Sequence, residues 1–87
     1  MAIASRNTTT TWEGDLPSGK GVLSNSSSSV LDNQVVSWGS RTRAPEGKTS
    51  PEELAAAAHS SCFAMALTLR LGEADLRPEQ LQVEAVV

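Results

Sequence analysis

Cys62 is the single cysteine of this 87-residue chain, and it stands inside the alanine-rich run PEELAAAAHSSCFAMALTLRLG, residues 51–72. A cysteine does nucleophilic chemistry as its thiolate, so a reactive role requires a nearby cation or dipole to lower its pKa from about 8.5. His59 precedes it by three positions, one helical turn away, which permits a Cys–His pair of the kind used in nucleophilic catalysis. Arg41 and Arg43, in the segment that delivers the chain to this run, are the other candidate cations. Each also has a plainer reading. A lone cysteine on an apolar helix face is most often a small buried hydrophobe, a histidine beside it a polar residue at the edge of that face, and loop arginines solvated charges. One Cys and one His leave a zinc site two ligands short, and a single thiol closes no internal disulfide, so neither a metal nor a cofactor is expected.

The element that carries the thiol has the clearest local signature. Ser50, Pro51 and Glu53 read S-P-E-E: a favoured N-cap, a proline at the first helical position and a glutamate three residues after the cap. Leu54, Ala58, Cys62, Met65 and Leu69 then recur at spacings of three and four, predicting a helix with one apolar face that includes the thiol. The surrounding alanines raise helix propensity and let another backbone approach closely. The helix is expected to end between Gly72 and Asp75. Its N-terminus lies eleven residues before Cys62, too far for the helix dipole to activate the thiol.

Upstream, NTTTTWE (residues 7–13) suits a strand, GDLPSGKG (14–21) is turn chemistry and VLSNSS resumes a short strand, together a hairpin. The tract SNSSSS (24–29) reads as a loop or an exposed strand edge, QVVSWGS (34–40) as a third strand and RTRAPEGKTS (41–50) as a loop. At the other end LQVEAVV (81–87) alternates like a strand. It carries no turn or polar tail to close it, so the chain is expected to be a fragment, a small unit that needs a partner or a continuation to gain stability.

Composition narrows the function classes. A net charge of −3 with seven scattered Lys and Arg gives no basic patch, which argues against nucleic-acid binding. The apolar stretch Cys62–Leu71 is interrupted by Thr68 and Arg70 and falls short of the ~20 residues of a membrane span. The opening MAIASRNTTTTWEGD lacks the charged start and apolar core of a signal peptide, so a cytoplasmic location is the default.

WEGD at 12–15, GKG at 19–21 and SPEELAAAAHSSCFAMAL at 50–67 occur here in order, and the set resembles the N-terminal half of the OsmC subfamily, within the OsmC/Ohr family of thiol-dependent peroxidases. The resemblance covers nearly the whole chain. It implies an α+β fold, with an N-terminal three-stranded antiparallel sheet, a long central helix and the start of a further strand, completed in an intertwined homodimer with active sites at the subunit interface. It further implies reduction of organic hydroperoxides, and less well of hydrogen peroxide, in oxidative and osmotic stress defence, with a dithiol as reductant. Matched position by position, Cys62 corresponds to the peroxidatic cysteine, Glu52 to the family's acid, and Arg41, just after SWGS, to its arginine, with Arg43 the second choice because the loop length is ambiguous by about a residue.

Glu52 and Cys62 are ten residues apart on the predicted helix, which separates them by ~15 Å of rise and roughly 80° of turn. If both serve one thiol, Glu52 and the arginine come from a second subunit. The chain departs from the family in lacking the second, resolving cysteine, so these residues alone are not expected to turn over by the family's cycle. Two other readings compete: a non-catalytic α+β dimerisation module with Cys62 in its core, and a cysteine hydrolase using His59, for which no oxyanion hole or orienting third group is evident.

Overall fold

A computed structural model describes residues 4–87. They form two compact units, the first ending at Pro51 and the second running Glu52–Val87.

In the first unit, β1 (Thr9–Glu13) and β2 (Lys20–Ser24) pair antiparallel from Thr9↔Ser24 to Glu13↔Lys20, and β3 (Val35–Val36) adds to the other edge of β2. The sheet order is β1-β2-β3. The hairpin closes because Gly14 adopts φ +94°, which an L side chain resists, and because Asp15 organises the turn. Its carboxylate accepts from the Ser18 amide at 2.9 Å, and its carbonyl accepts from the Gly19 amide at 2.8 Å. A Cβ at Gly21 would meet Val36 Cγ2 at 2.8 Å and Trp12 Cε3 at 3.1 Å, so the glycine lets Trp12 and β3 close over β2. Leu23 on β2 is the one buried apolar side chain among the described residues. The predicted hairpin is present, although β2 begins two residues earlier than VLSNSS suggested.

Residues 25–34 form a loop with left-handed backbone at Asn25, Ser29 and Asn33. Asp32 pins it by accepting from the Ser26 amide at 2.9 Å and the Ser26 hydroxyl at 2.8 Å, and these two bonds hold its carboxyl below the ordinary aspartate range. A group with a lowered folded pKa contributes stability that is full above its unfolded pKa and is lost as pH falls through the folded value. The 25–34 loop is therefore expected to stay closed through the ordinary aspartate range and to open only in stronger acid, read as collapse of the Ser26 amide shift in an NMR titration. Asp32→Asn should remove that acid step.

The predicted third strand is corrected. Only Val35–Val36 pairs, and Trp38–Thr42 is a short helix, α1. Ser37 caps it: its hydroxyl accepts from the Ser40 amide at 3.0 Å, while the Ser40 hydroxyl accepts from the Ser37 amide at 3.0 Å. Ser40 also donates to the Thr49 carbonyl at 2.8 Å, and Thr49 makes a parallel bridge to Val36, so the far end of the following loop is tied to the start of α1. These side-chain bonds offer Ser37–Ser40 an alternative to the sheet ladder. Ser37→Ala should cost about 1 kcal/mol in urea unfolding, the usual loss of an N-cap hydroxyl.

The second unit is built on α2 (Pro51–Glu73), which begins where the S-P-E-E signature places it and carries Glu52 and Glu53 in its first turn. It ends within the expected window. Leu76 donates to Leu71 O at 2.8 Å and Asp75 to Gly72 O at 3.0 Å, with Asp75 left-handed at φ +60°. This is the paired 6→1 and 5→2 arrangement of a Schellman C-cap, with Asp75 in place of the usual glycine. Residues 80–87 form no strand. A strand needs an edge to pair with, and the second unit contains no other strand to offer one. The period-two pattern survives as alternating cover, with Leu81, Val83 and Ala85 half-buried and Gln82, Glu84 and Val86 exposed.

The cover on α2 also differs from expectation. The better shielded stripe is Ala56, Ser60, Ala64, Leu67 and Leu71, while Ala58, Cys62, Met65 and Leu69 of the predicted apolar face are exposed. At 23 residues α2 is, by length and composition, long and apolar enough to cross a bilayer, unlike the stretch Cys62–Leu71 judged alone; core helices of water-soluble proteins meet the same criterion.

Candidate functional site

Cys62 is an exposed free thiol in the middle of α2. It opens into a concavity of about 510 Å³ between the helix and residues 83–85. Phe63, Ala66, Val83 and Ala85 give that concavity apolar walls, and His59, Ser60 and Glu84 give it a polar side. The helix supplies His59, Cys62, Phe63 and Ala66 because residues three, four and seven apart share a face. The C-terminal segment supplies the opposite wall through its alternating pattern. The thiol is thus placed at an open apolar cavity, not in the packed core that the plainer sequence reading favoured. His59 shares the cavity, but among the described residues it makes no hydrogen bond to Cys62 and no third group orients it as a base. This geometry gives the hydrolase reading no support. The described residues contain no cluster of three or more His, Cys, Asp or Glu able to hold a metal ion.

Arg41 lies on α1 and not in a loop, since Ser37 starts the helix four residues earlier. Its guanidinium carbon stands 5.9 Å from the centre of the Trp38 ring, within cation–π range. It helps to line a concavity of about 180 Å³ with Trp12, Leu16, Val36, Trp38 and Pro51. Arg43, two residues on, turns to the other side, with Nη2 3.3 Å from where a Cβ on Gly39 would sit. The two arginines that the sequence left as alternatives therefore occupy different surroundings. A Ser-x-x-Ser signal at 37–40 was available to find α1, but it is weaker than the serine–glutamate box at 50–53.

Glu52 is half-buried in the first turn of α2 and does not line the Cys62 cavity. The two share one unbroken helix, so the ~15 Å axial separation expected from their spacing is present in the structure. Within the second unit, Glu52 and Cys62 are not brought together.

The structure thus defines a small α+β chain: an open three-stranded antiparallel sheet followed by a long helix with a solvent-accessible thiol at an apolar cavity. No protein-family model matches the chain. Among curated proteins it is 46% identical over 76 residues to Peroxiredoxin OsmC of Escherichia coli (strain K12), and equally to Peroxiredoxin OsmC of Shigella flexneri. The matched region is 87% of this chain and 52% of each relative, so the chain spans about half the length of the curated relatives it matches. Over those residues the identity supports the resemblance to the OsmC family.

Proposed function

We propose that the chain carries the peroxide-reactive part of a thiol-dependent peroxidase that reduces organic hydroperoxides, and hydrogen peroxide less well, through Cys62. The observation that carries this reading is the placement of the single thiol, exposed on α2 beside a cavity walled by Phe63, Ala66, Val83 and Ala85. An apolar wall retains the organic part of an alkyl hydroperoxide, while the open side leaves its O–O group in reach of sulfur. The 46% identity to proteins named Peroxiredoxin OsmC supports the same reading.

In the proposed reaction the Cys62 thiolate attacks the distal oxygen of the hydroperoxide. The S–O bond forms, the O–O bond breaks, sulfur is oxidised to sulfenic acid, and the alkoxide leaves and takes a proton from water. Arg41 holds the thiolate and draws charge toward the departing oxygen, and Glu52 accepts hydrogen bonds from the guanidinium fork and fixes its plane. A dithiol reductant attacks the sulfenic sulfur, releases water and closes its own disulfide as Cys62 returns to the thiol. With one cysteine in the chain, that reductant comes from outside these 87 residues.

The ~15 Å between Glu52 and Cys62 along α2 supports a homodimer in which one copy's Arg41 and Glu52 serve the other's Cys62. The exposed Met65 and Leu69, one turn apart, give α2 an apolar patch for that contact. We read the protein as one part of a single OsmC-like domain, cytoplasmic, acting in oxidative and osmotic stress defence without nucleic-acid or membrane partners. Addition of cumene hydroperoxide to the reduced protein, with the remaining thiol counted and sulfenic acid trapped by dimedone, tests the reaction. An inert thiol would favour the dimerisation module, and full peroxide reactivity in a protein that sediments as a monomer would overturn the shared site.

A further inference from the structure

A second concavity, of about 280 Å³, lies between α1 and the 43–48 loop, and it takes no part in the peroxidase reading. Arg43 and Lys48 both line it, and neither makes an ion pair or a side-chain hydrogen bond among the described residues. Their positions are constrained by local structure. The guanidinium of Arg43 lies back along α1 toward Gly39, with Nη2 3.3 Å from where a Cβ at position 39 would sit. Lys48 is half-buried and closes a tight turn whose amide bonds Pro45 O at 2.9 Å, with left-handed backbone at Glu46 and Gly47. The next residue, Thr49, is tied to Val35 by its amide at 3.0 Å and to Ser40 by its carbonyl at 2.8 Å. Glu46 is the one carboxylate in the lining, and it sits outside ion-pair distance of either cation.

Two cations line one small concavity, and a charge-assisted contact to an anion there relieves their mutual repulsion. We propose that this concavity binds a compact oxyanion, the phosphate or carboxylate group of a small molecule, with Arg43 giving a forked contact and Lys48 a point charge. Glu46 on the rim opposes the anion and limits its affinity.

The test is an amide NMR titration of the full chain with inorganic phosphate and, separately, with acetate, at ionic strength held constant with sodium chloride. Saturable shifts centred on Gly39, Ser40, Gly47 and Lys48 are expected, with half-saturation at about 1 mM or somewhat above for the preferred anion. A preference for phosphate identifies a phosphate group as ligand, and a preference for acetate a carboxylate. Arg43→Gln and Lys48→Gln should each weaken binding about tenfold, and Glu46→Gln should strengthen it by a few-fold, with unchanged β1 and β2 amides certifying the fold. Shifts that grow linearly without saturating, or that persist in both Arg43→Gln and Lys48→Gln, would overturn the site. Cys62 reactivity toward peroxide is a separate readout, so failure here leaves the peroxidase reading standing, and the reverse.

Discussion

Cys62→Ser is expected to reduce the stoichiometry of organic hydroperoxide consumption from one equivalent per chain to none. The chain has no second thiol to substitute, so the loss should be complete and not merely a slowing. The substitution is close to isosteric and the site is exposed, so stability should change little and far-ultraviolet circular dichroism should overlay that of the parent. The chemical reason is ionisation: a serine hydroxyl has no thiolate-like form near neutral pH, and its oxygen does not take an oxygen atom from a peroxide as sulfur does. Stopped-flow thiol loss with cumene hydroperoxide, alongside dimedone trapping and mass measurement, checks both halves. Persistent peroxide consumption by Cys62→Ser would remove the thiol from the mechanism.

Arg41→Ala carries the second large effect. If its guanidinium stabilises both the thiolate and the charge developing on the departing oxygen, its removal should slow thiol oxidation by about 10²–10³-fold, the range for deleting one preorganised electrostatic donor. Arg41→Lys should recover only part of the rate, since an ammonium keeps the charge but not the fork. Arg6→Ala, which removes an exposed arginine near the start of β1, should leave the rate within about two-fold, because exposed charges at a distance are screened. A loss produced by Arg43→Ala in place of Arg41→Ala would reassign the arginine.

The elements that were legible in sequence are those held by near neighbours. The β1–β2 turn follows from Gly14 and Asp15. The start of α2 follows from Ser50, Pro51 and Glu53, and its end from a C-cap whose bonds span five residues or fewer. The spacing of the candidate side chains along α2 was legible in the same way. His59 and Cys62 share a cavity because they are one turn apart, and Glu52 stands away from Cys62 because ten residues of helix separate them.

The sequence by itself thus determined the hairpin, the long helix with both of its ends, and the spacing of every candidate side chain along that helix. Only the tertiary structure decided that Trp38–Thr42 leaves the sheet for a helix, that Arg41 lies within cation–π range of Trp38 while Arg43 reaches toward Gly39, and which stripe of α2 is covered. It also decided that LQVEAVV lies beside α2 as an unpaired wall of the thiol cavity and not as a strand. The physical reason is range. Caps and turns are satisfied by atoms a few residues away and can be read locally, whereas a short strand, a covered helix face or the direction of a long side chain is settled by hydrogen-bond partners and surfaces distant in sequence.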